Sequence, residues 1–152
     1  MGELFAGREA LLDDMSRRLQ ALMEAEGLEY GKRTHTYNSR LAQELAVSAD
    51  EAGVTDAMHD ALFRAYFVDG LDVSAPDVLM AAGHTAGLDP DAIRSVIEDR
   101  RNEPIVDAHW ARARSFGITG VPTFVAGGFG VVGAQPYETL ELLLDRARAA
   151  DG

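Results

Sequence analysis

From about Phe5 to Phe116 the sequence repeats one pattern: apolar residues at three- and four-residue steps, closed in most stretches by a glycine. That is the signature of amphipathic helices with left-handed C-terminal stops. In the first such stretch, Leu11, Leu12, Met15, Leu19, Leu22 and Met23 share a face and Gly27 follows; Leu28-Glu29-Tyr30 then reads as extended and Gly31 to Tyr37 as a polar loop. Asn38 is a cap for a second helix with Leu41, Ala42 and Leu45 inward, ended by Gly53. Thr55 is a cap for a third from Asp56 to Phe67, with Met58, Leu62, Phe63, Tyr66 and Phe67 inward. Ser74-Ala75-Pro76-Asp77 has the spacing of a capping box and opens a fourth helix that ends at Gly87. Asp89-Pro90 opens a fifth through Arg100, and a sixth runs from Pro104 to Phe116 before Gly117.

The period then changes. Val121-Pro122-Thr123-Phe124-Val125-Ala126 is short, apolar and partly β-branched. Gly127 to Gly130 reads as a turn and Val131-Val132-Gly133 as a second strand, which makes a β-hairpin. Gln135-Pro136 opens a last helix with Leu140, Leu143, Leu144 and Ala147 inward. The content is therefore α+β, in one domain: a helical part over about 5–116 and a hairpin-plus-helix part over about 117–150. A two-stranded sheet is marginal by itself and leaves both edges open, so something must cover those edges.

Composition removes several classes of function. With 47% hydrophobic residues the chain can build a core. A net charge of -11 would be repelled by nucleic acid and by anionic membranes, so neither is expected as a partner. No apolar run reaches the ~18–20 residues of a membrane span. Met1 to Phe5 carries no basic region followed by an apolar run, and Ala6 stands where a myristoylation motif needs Ser or Thr; the expectation is a cytoplasmic protein. There is no cysteine, which excludes disulfides, thiolate catalysis and thiolate-bound zinc for these residues.

Other candidate chemistry is weak. His35, His59, His84 and His109 show no three- or four-residue helical spacing, so no metal site is expected. Asp69-Gly70-Leu71-Asp72 lacks the ligand alternation of a calcium loop and reads as a turn. Gly127 to Gly130 joins strands, whereas a phosphate cradle runs into a helix. No serine stands in a Gly-x-Ser-x-Gly elbow. Phe63, Tyr66 and Phe67 are an aromatic stripe expected in the core. No cofactor is expected.

Gly120-Val121-Pro122-Thr123-Phe124 followed by Gly133-Ala134-Gln135-Pro136 resembles the closing motif of the DsbA-like, FrnE-type proteins, kin of 2-hydroxychromene-2-carboxylate isomerases and kappa-class glutathione transferases. Asn38-Ser39-Arg40-Leu41-Ala42, Ala61 to Phe67 and Ala86-Gly87-Leu88-Asp89 resemble the start and later segments of that family's inserted helical domain, and Glu26 to Tyr30 what precedes it. The resemblance implies a helical insertion domain plus the C-terminal hairpin and helix of a thioredoxin-like fold. It also implies a cis Val121–Pro122 bond, a docking role for Gly120, Val121, Pro122 and Thr123, and a place for Asn38 near a substrate pocket.

In that family the chain begins with a strand, a helix and a strand bearing Cys-x-x-Cys, or a serine in the glutathione-using isomerases. Such a unit needs ~30 residues. Only Met1 to about Leu4 precede the first helix here, so the expectation is that the unit is absent. Three readings follow. The chain is a redox-silent binding or scaffold module, or one part of an oxidoreductase whose other part is a separate chain. Or it is a glutathione-using isomerase relative whose pocket dimerisation completes. Or it is a fragment of an ordinary thiol–disulfide oxidoreductase. In the family's sheet order, losing the first two strands exposes the edge at Thr123 to Ala126, which a homodimer or a partner protein is expected to cover.

Overall fold

The computed structural model describes residue 14 and residues 16–31 and 35–150. The expected inward positions Leu11, Leu12 and Met15 lie outside them. Helix α1 covers 16–25. It is followed by α2 (Arg40–Ala52), α3 (Thr55–Phe63), a π-helical turn (Arg64–Val68), α4 (Pro76–Thr85), α5 (Pro90–Asp99), α6 (Glu103–Ser115), β1 (Thr123–Ala126), β2 (Phe129–Val132) and α7 (Tyr137–Ala150). The fold is α+β, mostly helical with one two-stranded sheet. The chain divides into two compact units, residues 1–106 and 107–152, with the boundary inside α6.

The helix stops stand where the glycines predicted them. At Gly27, Gly53, Gly87 and Gly117 the backbone turns left-handed, and the next residue's N–H reaches a carbonyl five residues back, as in Leu28 to Met23 and Val54 to Ala49. These are Schellman closures, which use up helix-end carbonyls that would otherwise be orphaned.

The helix starts are less regular. Asp89 caps α5 as expected, its carboxylate accepting from the N–H of Asp91 and Ala92. At α2 the N-cap position belongs to Ser39, and the Asn38 side chain accepts the Arg40 N–H from one residue further out, at 2.9 Å. Thr55 is the first residue of α3, after Val54, because its hydroxyl donates to Asp50 at 2.7 Å. The capping box at Ser74 does not form. Asp72 captures the Ser74 hydroxyl at 2.6 Å, and Pro76 at the first helical position leaves Ala75 as the cap. At Thr55 and Ser74 a nearby carboxylate outcompetes the helix end for the hydroxyl.

In the first unit α2 packs on α3 and α5, and α4 on α3 and α5. Leu45, Met58, Leu79 and Val96 are fully buried at the centre, joined by Ala42, Ala49, Val73, Ala82, Leu88 and Ile93. Burying a residue such as Leu79 contributes about 1.5–3 kcal/mol. Leu19 and Met23 are half-buried, but Leu22, expected inward, is exposed. The expected long third helix also changes pitch. Asp69 N–H bonds back to Arg64, five residues away, and the π-turn carbonyl of Phe67 accepts the Gly31 N–H at 2.8 Å. Ala65 is buried and Phe63 is 60% exposed, so the aromatic stripe is only partly core. Phe63 stacks on His59 at 6.0 Å and meets Phe67 edge-on at 5.9 Å.

In the second unit α7 lies on both strands. Leu143 and Ala147 are buried, as expected, but Leu144 is exposed. The hairpin is tighter than predicted. Its turn is only Gly127-Gly128, both at positive φ, so Phe129 and Gly130 belong to β2. A two-residue loop with both central residues left-handed matches the twist of its strands. A Cβ on Gly127 would lie 2.7 Å from the Ala147 Cα, so the turn sits directly on the α7 backbone.

Candidate functional site

The segment Gly120 to Ala126 is organised by its own backbone. The Thr123 hydroxyl donates to the Gly120 carbonyl at 2.6 Å and closes the loop that carries Val121 and Pro122. The Val121–Pro122 bond is cis, and Val121 is 90% exposed. The strand begins at Thr123, after bends at Gly120, Val121 and Pro122. Gly120 to Thr123 therefore form one exposed loop. Asn38 lies in the other unit, where its carboxamide oxygen is occupied by the Arg40 N–H.

The register decides which backbone groups the strand leaves open. Thr123 faces Val132, Phe124 faces Val131, Val125 faces Gly130 and Ala126 faces Phe129. Gly133 N–H donates to the Pro122 carbonyl at 2.8 Å, so Pro122 and Gly133 are a hydrogen-bonded pair. Such pairs alternate along an antiparallel ladder. Phe124 and Ala126 therefore bond to β2, and the N–H and C=O of Thr123 and Val125 point away from it, along the outer edge of β1. Pro122 falls on the inner side, so its missing N–H does not blunt this edge. The outer edge of β2 is different: the Gln135 side chain donates to the Val132 carbonyl at 2.6 Å. Among the described residues the open edge of the hairpin is thus β1, flanked by exposed Val121 and Val125.

The two faces of the sheet also differ. Phe124, Ala126, Phe129 and Val131 share one face. Arg146 of α7 lies over the Phe129 ring at 5.5 Å, which identifies that face as the one under the helix. Val125 and Val132, on the opposite face, are exposed.

Reading the sequence missed one polar cluster. Glu44 of α2 is fully buried and accepts from Arg100 at 2.8 and 2.6 Å and from Arg40 at 3.2 Å. Asn102 donates to the Glu44 carbonyl at 2.9 Å and to the Ser48 hydroxyl at 2.8 Å, and Arg101 pairs with Glu51. Hydrogen bonds from Arg100 hold the Glu44 carboxyl below its usual range, against the upward push of burial. The Arg40–Glu44 spacing of four residues was a visible signal; the partners at Arg100 to Asn102 were not. Among the described residues no buried side-chain nitrogen or oxygen lacks a partner, and this cluster ties the α5–α6 junction to α2. Among the described residues no group of His, Asp and Glu could hold a metal ion, and no helix is long and apolar enough to cross a membrane.

Three comparisons place this geometry. No curated protein matches the sequence. A probable DsbA oxidoreductase from Streptomyces coelicolor superposes with a TM-score of 0.77 at 34% identity, over 88% of this chain; this chain spans 58% of that one. A 2-hydroxychromene-2-carboxylate isomerase shares the fold, with a TM-score of 0.72 at 20% identity over 94% of this chain and 71% of its own. The family model for the DsbA-like thioredoxin domain matches residues 6–145, and the chain belongs to that family.

Proposed function

We propose that this chain is a DsbA-like module that works by binding rather than by dithiol chemistry of its own. It serves either as a scaffold or as part of an oxidoreductase whose thiols come from residues other than these 152. The observation that carries the reading is the outer edge of β1. Thr123 and Val125 present paired donors and acceptors there, next to the exposed Val121 of the Gly120–Thr123 loop. An unpaired edge of this kind is a template for a strand from another chain. A second copy or a partner protein would add its backbone to β1, with the loop as the neighbouring contact. The absence of cysteine from the sequence removes thiol–disulfide exchange from what these residues can do alone.

Light scattering after size exclusion tests the reading. The expected result is an assembly heavier than the 16.4 kDa chain that falls to the monomer mass in Val125→Lys, because a charge on an edge strand opposes pairing. An assembly indifferent to that substitution removes β1 from the reading, and a chain that stays monomeric at every concentration overturns self-association.

A further inference from the structure

We infer that the connector between α5 and α6 is a polar latch on α2, which opens to free the first turn of α6 while the apolar core of α2 to α5 stays closed. The device uses residues between Arg40 and Val106, all within the first unit.

Helix α5 ends at Asp99 and α6 begins at Glu103, and each residue between them reaches α2. Arg100 donates to the Glu44 carboxylate. Arg101 donates to Glu51 and, at 3.3 Å, to the Ser48 hydroxyl. Asn102 donates to the Glu44 carbonyl and to the same hydroxyl. Glu44, Ser48 and Glu51 follow one another at steps of four and three, so they form one stripe along α2. Arg40, one turn before Glu44, extends the stripe and donates at 3.2 Å to the Glu103 carbonyl. A second stripe, Ala42, Leu45 and Ala49, belongs to the core. Helix α2 thus holds its helical neighbours by apolar contact and the start of α6 by hydrogen bonds and charge.

Latch and core are separate in the fold. Among the described residues the buried core cluster runs from Ala42 to Val96 and ends before the connector. The buried residue of α6 is Val106, which is not a member of that cluster. Asn102 joins latch and helix, because its side chain binds α2 while its carbonyl accepts the Val106 N–H at 3.1 Å. The two also differ in what resists their opening. Each hydrogen bond of the latch gives a small net gain, since water competes for both partners. Charges released from it are rehydrated, which offsets much of the lost pairing. Opening the core would instead expose Leu45, Met58, Leu79 and Val96 together. Release at the connector is therefore the smaller step, and it falls shortly before the second unit begins at Asp107.

Native-state hydrogen exchange of the whole 152-residue chain, resolved by NMR, tests the latch. The Val106 N–H reports the first turn of α6; those of Met58 and Ala86, bonded to Val54 and Ala82, report the core. Val106 should exchange faster than Met58 and Ala86, with the weaker dependence on urea. Leu79→Ala, a core change that leaves the latch intact, should speed Met58 and Ala86 at least about thirtyfold and leave Val106 within roughly twofold. Where Leu79→Ala fails to fold, the urea dependence in the parent chain makes the same distinction. Asn102→Ala, which removes both donations to α2, should speed Val106 about tenfold or more, and Ser48→Ala should act in the same direction. If Val106 exchanges as slowly as Met58 and both accelerate equally in Leu79→Ala or in urea, α6 opens only with the whole unit and the inference is overturned. It is also overturned if Asn102→Ala leaves Val106 unchanged, because something other than the connector then holds α6.

Discussion

Arg100 grips the Glu44 carboxylate with two hydrogen bonds, Nε to Oε2 at 2.8 Å and Nη2 to Oε1 at 2.6 Å, across 56 residues of sequence. The paired geometry is the strong form of this contact, and Glu44 has no exposed surface from which water could replace it. Arg100 also stands at φ 55, the only non-glycine residue at positive φ among those described. The backbone accepts a left-handed residue at the end of α5 because that conformation aims the guanidinium at α2.

Removing Arg100 leaves a buried carboxylate with Arg40 alone, so Arg100→Ala is expected to cost about 3–5 kcal/mol. Arg100→Gly loses the same ion pair but relieves the left-handed backbone, and should be less destabilising by about 1 kcal/mol. Urea unfolding of the two variants checks the order; equal losses would remove backbone strain from the account.

The same pair sets an acid limit. Hydrogen bonds from Arg100, opposed by burial, give Glu44 a folded pKa below its unfolded one. Its contribution to stability is therefore complete above the unfolded carboxylate value, ~4.3. It is lost as pH falls through the lower folded value. Arg100, pushed upward by its hydrogen bonds to Glu44, stays charged throughout. The stability gap between the parent chain and Glu44→Gln should be constant near neutrality and should shrink below about pH 4. A gap that holds its size down to pH 3 would show that folding does not lower the Glu44 pKa.

Gly31 lies against the π-helical turn so closely that a Cβ would stand 1.9 Å from the Val68 carbonyl oxygen. The obstacle is backbone, which cannot rotate aside. Gly31→Ala should displace the segment before α2, break the Gly31 N–H bond to Phe67, and cost about 1–3 kcal/mol. Thermal unfolding followed by circular dichroism measures this, and an unchanged melting temperature would contradict the close approach.

The two turn glycines should separate by their surroundings. Both have positive φ, but a Cβ at Gly128 meets nothing within 4 Å, whereas one at Gly127 strikes the Ala147 backbone. Gly128→Ala should cost only the left-handed penalty of about 1–2 kcal/mol. Gly127→Ala should cost more, because α7 must also move off the hairpin. Amide exchange in β1 and β2 reports it: comparable protection in the two variants would mean that α7 does not rest on the turn.

Local chemistry made most of the architecture legible. Gly27, Gly53, Gly87 and Gly117 ended their helices because left-handed closure needs only the glycine and the preceding turn. Asp89 capped α5 because the N–H groups it accepts from lie within three residues. The loop at Gly120 to Thr123 could be picked out from its residues, and its hydroxyl-to-carbonyl closure is equally local. Where local signals competed, the reading slipped. Ser74 and Thr55 chose nearby carboxylates over helix ends, and the glycine-rich turn proved two residues long because Phe129 and Gly130 pair with Ala126 and Val125.

Sequence alone thus determined the order of helices, the single hairpin, the family and the impossibility of thiol chemistry in these residues, since each depends on residue type and near neighbours. Tertiary structure decided the rest. It placed Glu44 in the core, because its partner lies 56 residues away and periodicity cannot see so far. It left Phe63 and Leu144 exposed, because which flank of a helix is covered depends on what packs against it. It also chose β1 over β2 as the open edge, because strand register and the reach of the Gln135 side chain exist only once the hairpin has closed.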